Sequence, residues 1–253
     1  MKRLLIITLL LTPLLFLTGC WDYKDIGNTI VISGIGIDKK DDKYLVTLEL
    51  LDPVEFATEG YGHSQFHTID LELDNISEIS TRLTDKVSKI VLYGNVRVIV
   101  VSKEIAEEGI DKILDPFLRN NLIRISVIVL SLDESPSEIL SIVSAFEKNQ
   151  AESIRGSLEV SNKYSTIDAR MSTIEYAIRA LNNGEEPYLP IVSIDGNKDK
   201  AGETNYLDSV KLETFVKVSG VALFSNNKYV GRLDSEEMRN IGFLLSEPSA
   251  AIF

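Results

Sequence analysis

One cysteine, Cys20, and two histidines, His63 and His67, are the chain's whole stock of thiol and imidazole chemistry. A thiol can be alkylated, acylated or oxidised, but with no second cysteine there is no disulfide to form within the chain. Cys20 closes a distinctive run: Met1-Lys2-Arg3, an apolar stretch from Leu4 to Phe16, then Leu17-Thr18-Gly19. A basic start, an apolar core of about a dozen residues and small residues before a cut site make a secretory signal. The apolar run falls short of the roughly 20 residues that a membrane span needs. His63 and His67 stand four apart in His-Ser-Gln-Phe-His. That spacing brings two imidazoles together only on a helix, the local residues do not read as helical, and the glutamate of the zinc-protease motif is missing. A solvated loop is expected there, with no metal.

Leu17-Thr18-Gly19-Cys20 resembles the bacterial lipobox. The resemblance implies cleavage between Gly19 and Cys20, an S-diacylglyceryl thioether on Cys20 and an acyl group on its new amino terminus. One acyl chain holds a protein only marginally, whereas two or more make attachment stable. Trp21, next to the anchor, fits the headgroup level, where amphipathic aromatics are favoured, and equally fits packing on the folded domain.

Other candidate constellations are weak. Gly34-Ile35-Gly36 has no third glycine and runs on within a β-type segment, so close backbone approach explains the glycines better than a phosphate cradle. Glu55, Glu59, Asp70, Glu72 and Asp74 are scattered carboxylates that nothing separates from surface charge. No Gly-x-Ser-x-Gly elbow is present, and Cys20 is consumed by lipid. No enzyme activity and no cofactor are expected.

The elements that must carry these residues follow from pattern. The chain of 253 residues has 44% hydrophobic and 25% charged residues and a net charge of −12, which becomes −14 when residues 1–19 leave with Lys2 and Arg3. Such a surface repels polyanions, so nucleic acid is excluded as an expected partner. Ile30–Asp38 and Tyr44–Leu51 read as a hairpin, 52–68 as a loop, 69–73 as a strand. Ile76, Ile79, Leu83, Val87 and Ile90 form a helical stripe. Val96–Val101 is a strand, Lys103–Leu118 one or two short helices, Ile125–Leu130 a strand and Ser137–Phe146 a helix. A loop is expected from Glu147 to Thr166, then a helix through Ile174, Ile178 and Leu181 that stops at Asn182-Asn183-Gly184. Pro190–Ile194 is a short strand, and 214–224 with 229–233 form a second hairpin. Asp234 and Glu237 make a capping box for a helix through Met238, Ile241 and Leu245. Strands alternating with helices imply a partly parallel sheet and an α/β fold of mixed α+β character. The expected layout is a signal at 1–19, an α/β domain at 20–195, a charged linker at 196–211 and the start of a second α+β domain at 212–253.

Cys20-Trp-Asp, Ser33-Gly-Ile-Gly-Ile-Asp38, Leu92-Tyr-Gly-Asn-Val-Arg-Val98, Glu104-Ile-Ala-Glu-Glu-Gly-Ile110, Gly220-Val-Ala-Leu-Phe224 and Gly231-Arg-Leu-Asp234 occur in that order. Together they resemble the C-subunit lipoproteins of spore germinant receptors, the Ger(x)C family. The resemblance implies a lipid-anchored protein on the outer face of the inner spore membrane, assembled with two integral-membrane partners, the A and B subunits, and acting in spore germination without catalysis. Family members continue into a substantial C-terminal domain, of which this chain carries only the opening, so a truncated product is expected. The alternatives are a solute-binding lipoprotein of an importer, which should have two similar lobes around a cleft, and an anchored hydrolase, which should have convergent acid, base or metal residues.

Overall fold

Val98-Ile-Val-Val101 and Val127-Ile-Val-Leu130 are apolar on both faces, the pattern of strands covered on both sides. In the computed structural model, which describes residues 25–58, 66–119, 126–164, 170–182, 184–197 and 214–238 with Met1, Arg3 and Asn240, these are β5 and β6. In chain order the elements are a 3-10 turn Ile26–Asn28, β1 Thr29–Lys40, β2 Lys43–Leu51, α1 Pro53–Thr58, β3 Phe66–Leu73, a 3-10 turn Ile76–Glu78, α2 Ile79–Thr84, β4 Ile90–Leu92, β5 Val98–Ser102, α3 Lys103–Glu108, α4 Asp111–Arg119, β6 Val127–Ser131, α5 Pro136–Ser141, α6 Gln150–Tyr164, α7 Thr173–Leu181, β7 Tyr188–Asp195, β8 Phe215–Ser225 and β9 Lys228–Asp234. All nine strands form one mixed sheet in the order β3-β2-β1-β5-β6-β7-β8-β9, with β4 beside the start of β1. β1, β5, β6 and β7 are parallel neighbours, and antiparallel pairs flank them on both sides. The expected mixed α/β fold is the observed one.

Two cores result. Ile35, Ile99, Val101, Ile128, Leu130 and Ile191 meet Leu83, Ile105, Ile113, Phe117 and Tyr176 on one face. Val98, Val100, Val129 and Val192 meet Ile139, Leu140, Ala151, Ile154 and Leu158 on the other. Gly34 and Gly36 permit the second packing, because a Cβ on Gly36 would lie 2.9 Å from the Pro136 Cβ, and one on Gly34 3.1 Å from the Ala151 Cβ. Close backbone approach is thus what the two glycines provide.

Five local expectations change. Residues 150–164 are a helix, α6, where a loop was expected. Its apolar stripe is only Ala151, Ile154 and Leu158, and their burial against the sheet supplies what weak amphipathicity did not. The stripe from Ile76 to Ile90 is broken: α2 ends at Thr84, and Ile90 opens β4, which pairs in parallel with the start of β1, Ile90 opposite Thr29 and Val91 opposite Ile30. Within 52–68 lies α1, and β3 starts at Phe66 because it pairs with Leu51 at the end of β2. The helix expected over 137–146 stops at Ser141, where Ile142 turns extended. The hairpin β8–β9 does not stand apart: β8 pairs with β7 from Tyr188 to Asp195 and prolongs the same sheet, bringing Val221, Ala222 and Phe224 under cover. The helix after Asp234 is described only at its start, where Asp234 and Glu237 form the expected capping box; Ile241 and Leu245 lie outside the described residues.

Candidate interaction surface and buried carboxylate

Cys20, Gly19, Trp21, Glu59 and His63 lie outside the described residues. His67 is on β3 opposite Leu50, with its side chain exposed. Glu72 pairs with Lys40, Asp74 with Lys43 at 3.4 Å, and Asp70 accepts from the Thr47 hydroxyl at 2.6 Å. Glu55 sits exposed in the first turn of α1. These carboxylates do not converge, and among the described residues no three His, Cys, Asp or Glu side chains gather as a metal site would need. A cleft of about 740 Å³ beside β2, β3 and α2 is lined by Lys40, Lys43, Arg82 and Lys86 with Asp70, Glu72 and Asp85. Its cations already have partners, Arg82 on Glu78 and Lys86 on the Asp70 carbonyl among them.

The carboxylate that stands out is one the sequence reading passed over. Glu49, within the apolar run Tyr44–Leu51, points to the same face as Thr47 and is fully buried. Ser33 Oγ and Asn149 Nδ2 each donate to Glu49 Oε1 at 2.6 Å, and the Ala151 N–H donates to Oε2 at 3.0 Å. The Gln150 N–H adds a further backbone hydrogen bond. The side chain therefore caps the start of α6 from two strands away, satisfying amides that a helix leaves open. Burial outweighs these donors and pushes the carboxyl up to about 7. A single acidic residue inside an otherwise apolar strand was the only available signal. Ser33, Asn149 and Gln150 around it are themselves buried, and the carboxylate joins β1, β2 and the start of α6 as a structural clamp.

The surface offers something different. α7 begins with a capping box, Ser172 accepting from the Glu175 N–H at 3.2 Å and Glu175 accepting from the Ser172 N–H at 2.9 Å. The helical stripe Ile174, Ile178 and Leu181 points outward: these side chains are 41%, 52% and 85% exposed. Tyr176 and Thr173 face the core in their place, with the Tyr176 ring edge-on to Phe224 at 5.7 Å. Tyr176 is 1% exposed, and a buried aromatic ring removes more area from water than any one aliphatic side chain. Beside the stripe, α4 and α7 enclose a groove of about 250 Å³ lined by Leu114, Leu118, Ala177, Ala180 and Leu181, with Asp111 and Asp115. A rigid helix carrying its apolar stripe to solvent is a surface suited to burial against another molecule. No helix among the described residues is long and apolar enough to cross a membrane.

Comparison with known proteins agrees with the sequence resemblance. A family model described as the spore germination protein N-terminal domain matches residues 22–194. Spore germination protein KC of Bacillus subtilis (strain 168) is 22% identical over 237 residues, covering 90% of this chain and 58% of that protein. The putative spore germination protein YfkR of the same organism is 23% identical over 239 residues, 92% of this chain and 59% of its own. Spore germination protein A3 is 23% identical over 226 residues, with 87% and 60% covered. The chain thus spans about three-fifths of the length of these relatives. No solved structure matches. With its matched region taking up more than half of the chain, from two residues past Cys20 to the end of β7, the protein belongs to the GerAC-like family of spore germination proteins.

Proposed function

We propose that this chain is the lipid-anchored C subunit of a nutrient germinant receptor, held by acyl groups on Cys20 at the extracytoplasmic face of the inner spore membrane and assembled there with the integral-membrane A and B subunits. Its activity is binding and not catalysis. The observation that carries this reading is the family match, which begins at residue 22, immediately behind the lipobox cysteine. Two features support it. The outward stripe of α7 and the α4–α7 groove provide apolar surface for a protein contact. The lipobox provides stable attachment through more than one acyl chain.

Mild detergent extraction of the tagged protein from spores tests assembly: the A and B subunits are expected to copurify. Recovery of an importer permease would favour the solute-binding alternative, and recovery of the protein alone would overturn the receptor reading. Cys20→Ala is expected to leave the membrane fraction and lose its part in germination together, and persistence of that variant in the membrane would remove the anchor from the account.

A further inference from the structure

Where β1 begins, three exposed aliphatic side chains gather. Ile26 lies in the 3-10 turn before β1, Ile90 opens β4 and is the pairing partner of Thr29, and Val54 lies in α1, which packs on both that turn and β1. They are 63%, 43% and 41% exposed. β2 runs antiparallel to β1, so its last residues also end here. At this end Asp52 and Lys89 pair with each other, while Asp25, capping the turn, and Glu55, beside Val54, hold exposed carboxylates at the rim of the aliphatic group. The other end of the hairpin carries only charge: Lys39, Lys40, Asp41, Asp42 and Lys43 follow one another at the turn. With 12 residues in β1, the two ends are separated by about 36 Å.

Chain length says which end is near the membrane. Five peptide steps join Cys20 to Asp25, and an extended chain covers at most about 18 Å in that number. A lipid on Cys20 therefore keeps Ile26, Val54 and Ile90 within reach of the bilayer surface but imposes no such limit on the charged turn. Aliphatic side chains beside an anchor gain by leaving water for the headgroup boundary, whereas charged ones lose hydration there.

We propose that the end formed by the 26–28 turn, α1 and the start of β4 rests on the bilayer, with Ile26, Val54 and Ile90 set into its interfacial region and the β1–β2 turn directed away from it. The proposal deepens the lipid-anchor reading and rests on it. Because Cys20 is the only cysteine and is occupied by the thioether in the lipidated chain, a new cysteine gives a unique labelling site. The test uses the full lipidated chain in phosphatidylcholine–phosphatidylglycerol vesicles carrying nitroxide lipids, with a fluorophore placed in turn through I26C, V54C, I90C and D42C, all at exposed positions. Flotation with the vesicles is measured first, then quenching. Flotation with quenching severalfold stronger at 26, 54 and 90 than at 42 is the expected result. Flotation with equal quenching at all four sites, or with none at 26, 54 and 90, overturns this orientation while leaving the anchor intact. Failure of the unlabelled protein to float overturns the anchor itself and the orientation with it.

Discussion

Glu49 shows how a single buried residue can set a pH response in the stability of a fold. Its carboxyl has an unfolded value of 4.5 and a folded value of about 7, raised chiefly by burial. The folded state therefore holds the proton more tightly, and the stability this contributes is fully present below about 4.5 and lost as pH rises through about 7, a change of about 3 kcal/mol. Glu49→Gln cannot titrate; its one oxygen can keep the Ser33 and Asn149 donors, but its NH2 then faces the Ala151 N–H, a loss that does not vary with pH. Thermal melts of both proteins between about pH 4.5 and pH 8 are expected to converge at the acid end, relative to their alkaline difference, with the wild type losing the extra stability as pH rises. Parallel pH profiles would exclude Glu49 as the titrating group. Tyr176 gives a second residue-scale prediction. Its hydroxyl is buried with no hydrogen-bond partner among the described residues, and burial pushes it well above its ordinary range. Tyr176→Phe keeps the ring against Phe224 and removes the orphaned group, so the variant should be more stable by about 1 kcal/mol in a denaturant titration.

At the scale of elements, close approach and helix orientation carry the testable consequences. α5 lies so near β1 that Gly36→Ala would set a methyl 2.9 Å from Pro136, an overpacking expected to cost about 1–3 kcal/mol by denaturant midpoint. Gly220 is tighter still, since a Cβ there would meet the Leu233 carbonyl oxygen at 2.3 Å. Gly220→Ala should loosen β9 from β8, read as faster amide exchange across Val221–Leu223. On α7 the opposite holds: Ile178→Asp and Leu181→Asp alter exposed positions and should leave the unfolding free energy within about 0.5 kcal/mol of wild type in a denaturant titration. If the outward stripe is the subunit contact, the same two variants should fail to copurify with membrane partners. A stripe of i, i+4 and i+7 apolar residues was legible in the sequence, but its direction was not, because Tyr176 competes for the same core and only the sheet opposite decides which face wins.

For the whole molecule, the sheet is the unit that matters. A chain ended after Asp195 would keep the matched family region yet expose the β7 edge and uncover Leu189 and Ile191, now shielded by β8. Such an edge is a template for self-association, so size-exclusion chromatography should find aggregates where the longer chain elutes as a discrete species. What the sequence by itself determined about this protein was the family, the α/β class and most strands, because ordered short motifs are local and β-branched runs bounded by turn residues carry their own periodicity. Only the tertiary structure decided that α6 is a helix, that Ile90 serves a strand, that β8 and β9 prolong the sheet, and that Glu49 is a buried clamp. Each of those depends on partners far away in sequence, Asn149 on Glu49 and β8 on β7, and pairing energy between distant segments leaves no periodic trace in either one alone.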